Sequence, residues 1–318
     1  MDLKQLQALQ AIADHGSFSG AAVALSTVQS NISTRIKALE HELDVVLVDR
    51  ASGHLTPIGD MVVRRARRIN TEINAMVDDV VALSSTVTGV VRLGMIGTTG
   101  RWLVPALFAE LHDRHREVRL HVLEGTNSTL EAQVAAGQLD LAIVNVPVQS
   151  SGLDTFPLFT EELVIVCPND SALALAHRDG AEKSGYRPVP LSELATLELL
   201  LPLSGTTLRD QIEHFVAPSG IKLNPVIELE GIRMLASLAF DGYGPAILPA
   251  SAIPNHLHSS FAAISLEGKP ARTVGVALKR RGFPSAPTRV TVDALKLVIT
   301  SSEALPDGIA PIAVTASL

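Results

Sequence analysis

Apolar positions in the first 58 residues recur at helical spacing. Leu6, Leu9, Ile12 and Ala13 fall on one face, and Gly16 ends the run. Ser19 to Leu25 predicts a short second helix opened by a serine cap. After a break at Ser26-Thr27, a third helix is expected from about Val28 to Leu43, with Ile32, Ile36, Leu39 and Leu43 inward. His54-Leu55-Thr56-Pro57 reads as a short extended return. Helix, short helix, tight break, helix is a helix-turn-helix pattern, and Ala21 and Ala22 are small enough to let the second and third helices approach.

A long helix is expected next, from about Ile58 to Ser85. Val62, Ala66, Ile69, Ile73, Met76, Val80 and Leu83 are spaced 4, 3, 4, 3, 4, 3, an uninterrupted a/d seam. It reads as one strand of a dimeric coiled coil; a helix packed on its own domain is the other reading. The opposite face is polar and carries Arg64, Arg65, Arg67 and Arg68.

From Gly89 onward strands and helices alternate. Val90–Ile96, Arg119–Leu123, Leu139–Val144 and Leu163–Cys167 read as strands, Trp102–His115 and Thr129–Ala136 as helices. This rhythm implies a parallel sheet with helices on both faces, continuing to about residue 300. Ala304 to Leu318 shows no periodicity and is expected to be a loose tail.

Composition narrows the function classes. The chain has 318 residues, 47% hydrophobic and 19% charged, which excludes wholesale disorder. Aromatics are 3%, so the core must be aliphatic. No apolar run reaches the roughly 18 residues a membrane span needs, and no secretory leader is recognisable, so a cytoplasmic protein without a membrane partner is expected. One cysteine, Cys167, rules out an intrachain disulfide and a Cys-rich zinc site. Gly94, Gly97 and Gly100 do not make the dinucleotide fingerprint. Catalytic and metal sites are expected to be absent: Glu161-Glu162 read as loop acids, and His256 and His258 sit in no motif. The net charge of −7 argues mildly against nucleic acid, but binding depends on a local patch.

The words of the N-terminal region carry a resemblance. Gly16-Ser17-Phe18-Ser19-Gly20-Ala21-Ala22-Val23-Ala24-Leu25, Gln29-Ser30-Asn31-Ile32-Ser33-Thr34-Arg35-Ile36-Lys37-Ala38-Leu39-Glu40, then Leu43, Leu47, Asp49-Arg50 and Leu55-Thr56-Pro57-Ile58-Gly59 resemble the DNA-binding domain of LysR-type transcriptional regulators. Gly89-Val90-Val91-Arg92-Leu93-Gly94, Gly137 to Ile143 and Gly242 to Pro249 resemble later segments of that family more loosely. The resemblance implies a multidomain α and α/β chain: a winged helix-turn-helix over 1–58, a dimerising linker helix over 59–88, and a periplasmic-binding-protein-like (type II) effector domain over 89–300. Its first subdomain would take about 89–165 and 268–300, its second about 166–267, with a tail at 301–318. Three departures stand out: Val28 where a Ser or Thr cap is common, so that Thr27 would cap instead; a wing about two residues short between Arg50 and Leu55; and a long segment from His177 to Pro190.

Candidate site residues follow from both lines. The third helix presents Gln29, Ser30, Asn31, Ser33, Thr34, Arg35 and Lys37. Gln and Asn can pair bidentately with adenine, Arg with guanine, and the hydroxyls and lysine suit phosphates. Arg50 and His54 in the wing are further DNA candidates, and the polar arginines of the long helix can brush flanking phosphates or simply be solvated. Residues 1–57 hold four basic against six acidic side chains, so affinity is expected from several linked heads. In two-subdomain sensors the ligand lies beyond the carboxyl ends of strands. Thr98, Thr99, Gly100 and Arg101 after the first strand, Thr126 and Ser128 after the second, Asn145 after the third, and Thr206, Thr207 and Gly231 opposite them are the effector candidates. Ser128 is expected to cap its helix, and Trp102 to pack in the core. No cofactor is implied. The expected partners are double-stranded promoter DNA, a small and anionic effector, and further copies of the chain as a homodimer and homotetramer. A ligand-binding or assembly protein without specific DNA recognition is the alternative, and an enzyme a more distant one.

Overall fold

The structure is a computed structural model and describes residues 1–49, 53–82, 87–180, 182, 184–254, 257, 259–280, 283–301 and 305–312. Within the long helix, the side chains at 71, 74, 75 and 78–82 are not described.

Three helices open the chain: α1 (Leu3–His15), α2 (Phe18–Ala24) and α3 (Gln29–Leu43). Asp2 and Gln5 form a reciprocal capping box on α1, and Gly16 closes it in the left-handed conformation at φ 66°. Ser17, rather than Ser19, caps α2 by accepting from the Gly20 amide at 3.0 Å. Leu9, Ile12, Ile32, Ile36 and Leu39 are fully buried with Ala21 and Ala22 between them. Val48 and Leu55 then make a single antiparallel bridge, the base of the short wing, whose tip at 50–52 lies outside the described residues.

Helix α4 (Pro57–Ala82) follows without a break. A Cβ at Gly59 would stand 2.1 Å from the Leu47 carbonyl oxygen, so only glycine lets α4 dock this closely on the head. Val63 and Ala66 are buried in the head's own core and Val62 is half-buried against it. The start of the seam therefore packs within the chain. Ile69 and Met76, farther along, are exposed, and Ile73 is half-buried. Val80's side chain and Leu83 lie outside the described residues.

The remainder is α/β. Strands β1 (Gly89–Ile96), β2 (Val118–Gly125) and β3 (Leu141–Val146) are parallel, linked by α5 (Gly97–Arg114) and α6 (Asn127–Ala136). Strand β4 (Leu153–Pro168) follows, then α7 (Ala172–His177), α8 (Leu191–Leu194), β5 (Glu198–Pro202), α9 (Thr207–Val216), β6 (Asn224–Leu229), α10 (Ile232–Phe240), β7 (Ala246–Pro249), β8 (Phe261–Ser265), β9 (Ala271–Lys279), α11 (Ala286–Thr300) and β10 (Ile309–Pro311). The strand order is β2-β1-β3-β9-β4-β7-β5-β6, with β8 and β10 also paired to β4. Strand β4 joins two halves. Its residues 153–162 pair with β9, and its residues 163–168 pair with β7 and β8. In the second stretch Leu163, Ile165 and Cys167 enter one apolar core while Val164 and Val166 enter another. Both faces are covered, which is why the sequence there is a continuous apolar run.

Four expectations change. Helix α5 begins at Gly97, five positions before Trp102, because Thr98 and Thr99 are buried and their hydroxyls meet a partner from another strand, offsetting the weak helix propensity of the Gly-Thr-Thr-Gly run. Thr126, not Ser128, caps α6, accepting from the Thr129 amide. Glu161 is no loop acid: it is a fully buried residue of β4. The tail is not wholly loose, since β10 adds to β4 opposite Phe159 to Glu161. Trp102 is half-buried against the first core, edge-on to Phe159 with ring centroids 5.3 Å apart. His256 and His258 lie outside the described residues.

Candidate nucleic-acid interface and effector cleft

Burial of Ile32, Ile36 and Leu39 forces the other face of α3 into water. Gln29, Ser30, Asn31, Thr34 and Lys37 are exposed there, and Ser33 and Arg35 are half-buried. Three of these groups are oriented within the head itself. Ser19 Oγ donates to Gln29 Oε1 at 3.1 Å, Asn31 Nδ2 donates to Thr27 Oγ1 at 3.0 Å, and Thr34 Oγ1 donates to the Ser30 carbonyl at 2.9 Å. Thr27 thus holds Asn31 instead of capping the helix; the cap position is Val28 and makes no side-chain bond. No acid stands in the first turn of α3, so its positive end is not neutralised. Three acids of the head are engaged elsewhere. Glu40 accepts from the Leu47 and Val48 amides at 2.9 and 3.2 Å, Glu42 pairs with the N-terminal ammonium, and Asp14 pairs with Arg67. Arg64, Arg65 and Arg68 remain exposed on α4 and His54 is exposed in the wing base, while Arg50 lies outside the described residues.

The second feature is a cleft of about 1070 Å³ between the two halves of the α/β region. Four helices begin on its walls. Their cap residues are Ile96 (α5), Thr126 (α6), Thr206 (α9) and Gly231 (α10). Thr206 Oγ1 accepts from the Arg209 amide and donates to the Leu203 carbonyl at 2.8 Å. Ile96 and Gly231 make no side-chain cap bond, which leaves first-turn amides of α5 and α10 without a capping oxygen.

Charge in the cleft is largely paired. Arg233 of α10 meets Glu124 at the end of β2 at 2.7 Å, across the opening. Buried Glu131 accepts from Asn127 Nδ2 at 2.9 Å and from the Gln149 and Ser150 amides at 3.0 and 3.1 Å. Asn127 also brackets the Asn145 backbone, accepting from its amide at 2.7 Å and donating to its carbonyl at 3.1 Å. The Asn145 side-chain oxygen is buried without a partner. At the floor Arg272, 1% exposed, donates through Nε and Nη2 to Glu161 at 2.8 and 2.6 Å and through Nη2 to Thr98 and Thr99 at 3.1 and 3.4 Å.

Of the residues expected from sequence, Thr126, Ser128, Asn145, Thr206, Thr207 and Gly231 line this cleft. Thr98, Thr99, Gly100 and Arg101 are not among its wall residues: the threonines turn to Arg272, and Arg101 donates to the Ala252 carbonyl at 2.9 Å. Burial, then the charge of Arg233, pulls the Arg101 guanidinium below its ordinary range. Sequence reasoning missed Glu124, Glu131, Arg233 and the Glu161–Arg272 pair. The signal for the last was a charge inside each of two apolar strands. Among the described residues no group of His, Cys, Asp and Glu is placed to hold a metal, and no helix is long and apolar enough to cross a membrane.

Two protein-family models match the chain. The LysR substrate binding domain matches residues 84–298, and the bacterial regulatory helix-turn-helix protein of the lysR family matches residues 3–60. A probable hydrogen peroxide-inducible genes activator of Streptomyces viridosporus is 30% identical over 285 residues, covering 87% of this chain and 88% of that protein. The DNA-binding transcriptional dual regulator OxyR of Escherichia coli K12 is 27% identical over 293 residues, covering 91% and 92%. A full-length OxyR variant of Pseudomonas aeruginosa shares the fold with a TM-score of 0.74 at 23% identity, over 98% of each chain. CbnR complexed with its target DNA does so with a TM-score of 0.64 at 22% identity, over 94% of this chain and 100% of that one. The chain belongs to the LysR family and is a DNA-binding transcriptional regulator.

Proposed function

We propose that this regulator reads promoter DNA through α3 and is switched by a small anionic metabolite held in the cleft. The observation that carries the second half is the convergence of four helix N-termini on one cavity. Each contributes a partial positive charge and free amide donors, and an anion is the ligand that uses both. The Glu124–Arg233 pair spans the opening, so closure around a ligand would repack it. A ligand moves the heads only through its differential affinity for the open and closed forms.

At the DNA, Gln29, Asn31 and Arg35 are assigned to base edges, and Ser30, Ser33, Thr34 and Lys37 to phosphates, with Arg50 and His54 in the wing as accessory contacts. The exposed part of the α4 seam, Ile69 and Met76, is assigned to pairing with a second copy; Ile73, Val80 and Leu83 share its spacing in the sequence, while Val62 and Ala66 pack on the head core. Dimers paired through their effector domains would supply the linked heads that a weakly basic monomer needs.

Several relatives bear hydrogen peroxide in their names. This chain holds one cysteine, so no disulfide can close within it. Cys167 is 1% exposed in β4, and burial pushes its thiol up, against the thiolate that attacks peroxide. The ligand-gated reading is therefore preferred to a thiol switch.

The experiment is fluorescence anisotropy on the DNA upstream of the coding region against a scrambled duplex, across a salt series, after a thermal-shift screen of small carboxylates. Specific binding that a stabilising carboxylate alters is the expected result. Stabilisation by neutral or cationic compounds alone overturns the anion assignment, and a response to peroxide restores the thiol switch.

A further inference from the structure

Strands β4 and β9 carry the chain across the two halves of the effector domain, and Glu161 and Arg272 stand directly opposite each other on them. One residue farther, at Glu162 and Ala271, that ladder ends, and from Leu163 β4 pairs with β7 and β8 instead. The ion pair therefore occupies the joint. Both side chains are buried, at 0% and 1% exposure, and such a pair persists only when its remaining donors and acceptors are met. Here partners come from both sides. Glu161 Oε1 accepts from the Ser251 amide at 2.8 Å, in the 3-10 turn Ala250–Ala252 of the second half. Arg272 Nη2 donates to Thr98 and Thr99 on α5 of the first half. Arg101, on the same helix, ties α5 to the same turn through the Ala252 carbonyl. Arg272 is also a wall residue of the cleft, and the Ser251 hydroxyl beside the pair is buried without a partner.

We propose that Glu161 is a positioning residue which holds Arg272 at the cleft floor and makes this pair the point where ligand occupancy is converted into a change at the joint. The proposal rests on the anion reading of the cleft. An anion reaching Arg272 competes with Glu161 for Nη2. Every bond so transferred weakens the hold of Glu161, and through it the link from α5 to Ser251. Occupied and empty clefts then differ in the angle between the halves, with no residue of the DNA-binding head involved. Thr98 and Thr99 act in this scheme as supports of Arg272.

The test uses the full chain with fluorophores on Asp113→Cys and Lys222→Cys, exposed positions in the two halves, and sulfate as the probe. Glu161→Gln keeps the acceptor for Ser251 but removes the charge facing Arg272. It is expected to bind sulfate about tenfold more tightly and to shift the ligand-free interlabel distance. Glu161→Asp, which restores the charge, is expected to return sulfate affinity to within about threefold of the parent. If Glu161→Gln does not fold, the Thr98→Val/Thr99→Val pair removes two acceptors from Arg272 and should tighten sulfate binding about threefold. A parent that binds sulfate, with variants unchanged in affinity and distance, overturns the proposal and leaves the anion reading standing. A parent that ignores sulfate while Glu161→Gln still shifts the distance supports the joint and overturns the anion reading.

Discussion

The head and the cleft present polar groups in opposite ways. In the head they lie on one helix of 15 residues, and the apolar side of that helix fixes where they point. Each polar group can be changed without disturbing what holds it. In the cleft the groups come from segments as far apart as Ile96 and Arg272, and several are themselves part of the support. Glu131 holds a loop, Asn127 holds a strand end, and Glu161 holds Arg272. A surface displayed by packing tolerates substitution; a site built from mutually bonded buried groups does not.

The sharpest way to break that contrast is Glu161→Ala. It leaves Arg272 buried and uncompensated, and removing one partner of a buried pair costs roughly 3–5 kcal/mol. Urea unfolding should show a loss of that size. A loss under about 1 kcal/mol would place the pair among those that solvent already relieves.

Next in size is Arg35→Ala. Loss of a base or phosphate contact is worth about 1–3 kcal/mol, so specific DNA affinity should fall about tenfold to a hundredfold while the melting temperature stays put. Gln29→Ala should behave likewise on the native site and leave non-specific binding alone. If either variant melts early, the head is as interlocked as the cleft and the contrast fails.

The same contrast explains what could be read in advance. Ile32, Ile36 and Leu39 announce α3 because a helix repeats its buried side locally, and the polar residues between them follow. The continuous run from Leu163 to Cys167 likewise announces a covered strand. Thr126 and Thr206 were legible as cleft residues because capping a helix beyond a strand is a local pattern. Arg272 was not, since nothing near Ala271 or Thr273 tells that its partner stands 111 positions earlier. Sequence alone presents Thr98 and Thr99 as ligand contacts for the same reason: their hydroxyls are satisfied by a residue 173 or 174 positions away. Seam spacing alone could not tell that Ala66 packs inside its own head while Met76 stays in water.

A smaller effect sharpens the cap assignment. Thr206→Ala removes the cap of α9 and should cost about 1 kcal/mol of stability. If Thr206 also faces the effector, sulfate affinity should drop with it, whereas Ser171→Ala, which uncaps α7 away from the cleft, should cost stability alone. Equal affinity losses in both would trace the effect to stability rather than to contact.

The smallest expected effect lies at Asp140, which belongs to neither site. Its carboxyl accepts from the Arg92 amide at 2.7 Å, and the Arg92 guanidinium stands 3.9 Å away. Burial nevertheless dominates and raises the carboxyl above its ordinary range, with the Arg92 amide and charge opposing. A folded-state pKa above the unfolded one means the native chain holds that proton more tightly. Stability from this group is then fullest below the unfolded pKa and is lost as pH rises through the folded one. Asp140→Asn keeps an oxygen for the Arg92 amide and removes the charge. At pH 7.5 the variant should equal or exceed the parent by up to about 1 kcal/mol. At pH 4 the gap should be smaller, because more of the parent carboxyl carries its proton there. Thermal melts at both values decide it: a variant that is less stable at pH 7.5 would show that the ion pair with Arg92 outweighs burial, and that even an interior acid outside both sites serves as support.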